Sequence, residues 1–131
     1  MQWREILSKR TFTKLRVSAH SLNIEIGRHN NIPAEHRFCQ LCKCGLVEDE
    51  IHFVTKCTAL SEVRQYAMKE CVNIDNLNDQ LKFTFIMSYY NGDTEVADMV
   101  TRYINDLFDR RNALLGLTRQ QGQIVVYNEM W

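Results

Sequence analysis

No run in this sequence approaches the roughly eighteen consecutive apolar residues of a membrane span, and Met1–Glu5 opens no secretory signal. An intracellular chain without a membrane partner is therefore expected, with nucleus and cytoplasm equally open. Excess charge of either sign is also missing: sixteen Lys and Arg balance sixteen Asp and Glu over 131 residues. No global field draws the molecule onto nucleic acid or acidic lipid, so any such partner must be met by a local patch. Internal repeats and low-complexity segments are absent. Only one proline occurs, Pro33. There is no GxxxxGK[ST] phosphate loop, HExxH pair, GxSxG elbow or zinc-deaminase signature, which leaves no catalytic residue to nominate.

What is present suits a folded domain. Apolar residues make up 45% of the chain and charged ones 24%, outside the composition of disordered chains. Charge is uneven along the chain: residues 1–43 hold eight basic and three acidic side chains, and residues 44–109 five and twelve. The basic first third either faces phosphates or pairs with the acidic middle.

The periodicity predicts a mainly α fold. Phe12, Leu15, Ala19 and Leu22 recur at helical steps, predicting an amphipathic helix over Thr11–Leu22. Asn23–Asn31 loses the period, Gly27 offers a stop, and Asn30–Pro33 reads as a turn that leads to the cysteines. Glu48, Asp49 and Glu50 suit the electropositive start of a short helix carrying His52. Ser61 starts a further helix to about Val72, with a polar connection over 73–78. The run 77–90 suits helix or strand. After a break at Tyr90–Asp93, a long helix over 94–116 presents Val96, Val100, Tyr103, Ile104, Leu107, Phe108, Leu114 and Leu115, and Ile124–Tyr127 in the tail is β-prone. We divide the chain into 1–73, an N-terminal helix plus a metal module, and 74–131, a helical region with a short tail.

The chemistry gathers in one place. Five cysteines are an odd count, and Cys39, Cys42 and Cys44 crowd together, which suits a metal or thiol site better than a disulfide framework. With His52 and Cys57 the spacing is C-x2-C-x9-H-x4-C. Three thiolates and an imidazole can close a tetrahedron around Zn2+, leaving no open position for catalysis. The expected ligands are Cys39, Cys42, His52 and Cys57, with Cys44, His36 and His29 as substitutes within reach. A redox C-x2-C pair and plain buried thiols are the alternatives, and Cys71 reads as a core thiol.

The residues that surround this spacing carry a resemblance. Leu15-Arg16-Val17-Ser18-Ala19-His20-Ser21-Leu22-Asn23-Ile24-Glu25-Ile26-Gly27-Arg28, Ile32-Pro33, Arg37-Phe38-Cys39-x2-Cys42 and Val47-Glu48-Asp49-Glu50-Ile51-His52-Phe53-x3-Cys57 resemble, over about residues 10–70, the zinc-binding segment C-terminal to the reverse transcriptase in non-LTR retrotransposon polyproteins. The resemblance implies a CCHC accessory module that helps hold RNA or DNA, with other parts of a retrotransposon polyprotein as partners. No polymerase motif is present, so the resemblance transfers no catalysis and suggests a fragment or domesticated remnant. Candidate phosphate contacts are Lys9, Arg10, Lys14, Arg16, Arg28, Arg37 and Lys43, with Phe38 or Trp3 as stacking surfaces. Arg16, Arg28 and Glu25 suit an internal salt-bridge set instead. The competing function is a zinc-stabilised scaffold for protein interaction.

Overall fold

A computed structural model describes residues 3–70, 77–88 and 95–116, with the side chains of 3–9 and 68–70 outside the description. The expected core thiol Cys71, the break at Tyr90–Asp93 and the β-prone run Ile124–Tyr127 lie outside the described residues. Five α-helices follow in order: α1 Trp3–Arg16, α2 Asn23–His29, α3 Ser61–Glu70, α4 Asp79–Met87 and α5 Glu95–Leu114. Short 3-10 turns lie at Ala34–His36 and Thr58–Leu60, and a π-turn at His52–Lys56. The protein is mainly α, as its periodicity predicts. Among the described residues the sole β pairing is an isolated antiparallel bridge, Phe38 to Val47, and no helix is long and apolar enough to cross a membrane.

The first helix departs from expectation at both ends. It begins at Trp3 and stops at Arg16, six residues before Leu22. Ser18 turns left-handed at φ 58°, while Ala19 N–H donates to Lys14 O at 2.8 Å and Ser18 N–H to Leu15 O at 3.4 Å. That bond pair is a Schellman stop, usually built on glycine. With serine in its place, the periodic match of Ala19 and Leu22 carries the reading past the real end. Leu22 is fully buried nonetheless, and Ala19 faces solvent.

The expected loop over Asn23–Asn31 is also corrected: its first seven residues form α2. No local side chain caps this helix. Glu48 does so from 25 residues away, its Oε1 accepting the Asn23 N–H at 2.8 Å while its carbonyl accepts the Ile24 N–H at 3.0 Å. Gly27 is not a stop. It lies buried inside α2, and an added Cβ would overlap the Arg37 side chain, reaching Cδ at 2.6 Å and Nε at 2.9 Å. Arg37 crosses at that point to donate from Nε to Ile32 O and from Nη1 to Ile24 O, both at 2.8 Å. Gly27→Ala is therefore expected to displace Arg37 and destabilise the protein by about 1–3 kcal/mol, through overpacking and two weakened hydrogen bonds. Urea unfolding reads this out, and an unchanged midpoint would show that Arg37 moves aside at no cost.

Further along the chain, Asn78 accepts the Leu81 N–H at 2.8 Å, an N-cap that decides the ambiguous 77–90 run in favour of helix. Segments 1–73 and 74–131 share one buried cluster: Phe12, Leu15, Leu22, Phe53, Val54 and Leu60 meet Ile86, Met87, Val100, Tyr103, Ile104 and Leu107. Phe53 and Phe108 pack with ring centroids 4.5 Å apart at a 46° tilt. The long helix buries nearly the expected face, with one exchange. Arg111 is buried and Leu114 is 46% exposed, for a reason found at the metal module.

Candidate metal centre

Cys39 and Cys42 sit on a short hairpin whose arms are held by Cys39 N–H to Leu46 O at 2.8 Å and Glu48 N–H to Arg37 O at 2.9 Å. The return of the chain needs two left-handed residues, Lys43 at φ 53° and Gly45 at φ 74°. An added Cβ at Gly45 would touch nothing within 4 Å, so glycine is used there for its conformation.

His52 and Cys57 arrive on the other wall. Asp49 Oδ1 accepts the His52 N–H at 2.8 Å, starting the helical segment as the acidic run predicts. Five positions on a regular α-helix would place the two side chains about 140° apart. Here the chain widens into the π-turn, and Cys57 N–H donates to His52 O at 2.8 Å, five residues back. This adjustment of pitch sets the H-x4-C pair on one side. Donors from elsewhere brace the turn: Tyr103 Oη donates to Val54 O at 2.6 Å, and Arg64 donates from Nε to Val54 O at 3.2 Å and from Nη2 to Cys57 O at 3.0 Å.

The four expected ligands come together. Their donor atoms all lie within 4.8 Å of one another, with Cys39 Sγ to Cys57 Sγ at 3.8 Å and Cys42 Sγ to His52 Nε2 at 3.5 Å. A tetrahedral centre with metal–sulfur and metal–nitrogen bonds of zinc length has edges of about 3.8 Å between sulfurs and about 3.5 Å between sulfur and nitrogen. These two edges match. Cys39, His52 and Cys57 are buried, and Cys42 is half-buried. The ring nitrogen that faces the sulfurs is His52 Nε2; among the described residues its Nδ1 has no hydrogen-bond partner. The donor set therefore fits a thiophilic divalent cation.

No family model matches this chain, and no match is found among curated proteins or solved structures.

The clustered sulfurs also shift one another's thiols. The hydrogen bond with Cys57, aided by burial, pushes the Cys39 thiol up to about 12. The same bond holds the Cys57 thiol below its ordinary value. Burial also raises Cys42.

The substitutes stand outside the cluster. Cys44 is exposed, its Sγ directed to Cys42 O at 3.4 Å; His29 is exposed, and exposed His36 lies against Phe38 with ring centroids 6.0 Å apart. The three consecutive acids diverge: Asp49 caps His52, Glu50 lies 3.6 Å from His20 Nε2, and Glu48 turns into the core. The neighbouring His20 imidazole holds the Glu50 carboxyl below its usual range against the effect of burial.

The candidate cations divide. Arg10 and Lys43 are exposed and Lys14 is half-buried, with Arg10 and Lys14 on one ridge of α1 by their spacing. Arg37 is tied to Ile32 and Ile24, and Arg16 donates to Met87 O at 2.7 Å. Arg28 pairs with Glu25 at 2.9 Å, part of the expected internal set. Lys9 lies on α1, but its side chain and that of Trp3 fall outside the described residues.

One important element is invisible to motif reading. Arg111, on α5, grips Glu48 with two bonds of 2.9 Å, from Nε to Oε2 and from Nη2 to Oε1, both side chains 1% exposed. Glu48 thereby joins α2, the metal hairpin and α5. The partners stand 63 residues apart, and no local signal links them.

Proposed function

We propose that this chain is a zinc-binding accessory module that binds RNA or DNA and is not catalytic on its own, similar to the segment that follows the reverse transcriptase in non-LTR retrotransposon polyproteins. The observation that carries the zinc assignment is the cluster of Cys39, Cys42, His52 and Cys57 donor atoms within 4.8 Å. Soft thiolates with one imidazole favour zinc over hard cations. Bound there, zinc supplies cross-linking of the hairpin to the π-turn. Four protein ligands leave no position for a reacting water, which supports a structural role. Thiols kept for a metal also suit a reducing, intracellular compartment, nucleus or cytoplasm.

The nucleic-acid reading rests on the resemblance and on the cations Arg10, Lys14 and Lys43, which the fold leaves at least partly open to solvent. With few such contacts, affinity is expected to be low and to fall with salt along a modest slope. The test measures metal content, then binding of the zinc-loaded protein to a single-stranded RNA and a DNA duplex across salt. A clear negative slope of log affinity against log salt supports the reading, and absence of binding at low salt overturns it.

A second reading, a scaffold for protein interaction, is favoured by one feature. An open cavity of about 540 Å³ is lined by Leu15, Val17, Ile51, Phe83 and Met87 beside Asp49 and Glu50, and Val17 is 65% exposed. Other parts of a retrotransposon polyprotein are the proposed partners in that case.

A further inference from the structure

We infer that Phe38 is a stacking platform for an unpaired base, which makes single-stranded RNA or DNA, and not duplex, the preferred ligand; this rests on the nucleic-acid reading above. Phe12 and Phe53 are each 1% exposed, whereas Phe38 is 45% exposed. Its backbone is nonetheless held firmly. Asn23 Nδ2 donates to Phe38 O at 2.6 Å, and Phe38 bridges Val47. Its sequence neighbours are pinned as well, Arg37 by its two carbonyl bonds and Cys39 by the Leu46 bond and the metal cluster. His36 tilts against the ring at 44°.

An aromatic presented to solvent from an immobilised backbone loses little conformational entropy on binding. Every nucleobase offers a face to such a ring. The flanking sequence suits a polyanion: residues 28–47 contain Arg28, Arg37 and Lys43 with one acid, Glu35, and two histidines, His29 and His36. Arg28 keeps 59% of its side chain exposed despite its bond to Glu25, and Lys43 is exposed on the same hairpin as Phe38. Duplex bases are already stacked on one another and offer this surface only phosphate. An unpaired base can lie flat on Phe38 while its flanking phosphates meet the cations.

The experiment compares the zinc-loaded full chain with F38A, F38L and F38W, using fluorescence anisotropy with a short labelled RNA strand, the same sequence as single-stranded DNA, and its duplex. F38L keeps apolar volume without a π-face, and F38W keeps the π-face. Zinc stoichiometry and melting confirm that each variant is folded, and F38L carries the comparison if F38A is not. The expected result is a loss of about tenfold in single-strand affinity for F38A and F38L, retention in F38W, and unchanged duplex binding. Photocrosslinking of an iodouridine-substituted strand should map to the peptide containing Phe38. Single-strand affinity unchanged in both F38A and F38L, or falling together with duplex affinity, overturns the platform and leaves the nucleic-acid reading standing. If the native protein binds neither strand nor duplex at low salt, the nucleic-acid reading itself falls, and a protein partner becomes the occupant of this face.

Discussion

Cys57→Ser is expected to lose stoichiometric zinc and the cooperative melting transition together, and chelation of the native protein should do the same. Structural zinc contributes on the order of 10–16 kcal/mol in finger peptides, whereas whole domains retain about 5–15 kcal/mol of net stability. Cys57 is 1% exposed and lies in the shared buried cluster, so losing the site loosens the main core as well. Protons compete with the metal, and their competition sets the pH dependence. Zinc binds thiolates, and the Cys39 thiol is pushed up to about 12 in the metal-free cluster, so its proton must leave when metal enters. Apparent zinc affinity therefore rises with pH and falls on acidification, with protons released as metal binds. Circular dichroism melting with elemental analysis checks the first part, and a metal-indicator titration at several pH values the second. A Cys57→Ser protein that still holds one tight zinc would remove Cys57 from the ligand set.

Arg111→Met is expected to destabilise the zinc-loaded protein by about 3–5 kcal/mol, the usual result of stranding one charge of a buried pair. Glu48 would then be left 1% exposed with only the Asn23 N–H on its carboxylate. The pair is not fully satisfied even in the native protein, where Arg111 Nη1 and Asn23 Oδ1 are buried without partners. Replacing both charges should accordingly cost less than replacing one. Glu48→Gln combined with Arg111→Met keeps an acceptor for the Asn23 N–H and removes the uncompensated charge, so it should recover part of the loss. Chemical unfolding of the two single variants and the double variant provides the cycle. Additive losses would mean that the two side chains act independently, contrary to their geometry.

The Cys3His cluster is legible because ligand chemistry is narrow: three thiols and an imidazole at short spacings have few other uses. The H-x4-C interval was harder to read, since an ordinary helix separates its ends and only the π-turn brings them together. That turn is held by Tyr103 and Arg64, donors that no reading of residues 52–57 contains. The sequence hides the end of α1 because a serine occupies the left-handed position that glycine normally marks, and it hides α2 because its cap is Glu48, far along the chain.

Composition and periodicity alone therefore determined a mainly helical chain, the long C-terminal helix and four side chains suited to one cation, because these depend on residue type and short-range spacing. Tertiary contacts decided that residues 23–29 are helical, that Gly27 makes room for Arg37, and that an arginine takes a core position on α5. Each of those outcomes depends on a partner distant in sequence, and the energy of a buried hydrogen bond or ion pair exists only once folding has removed the water between the groups.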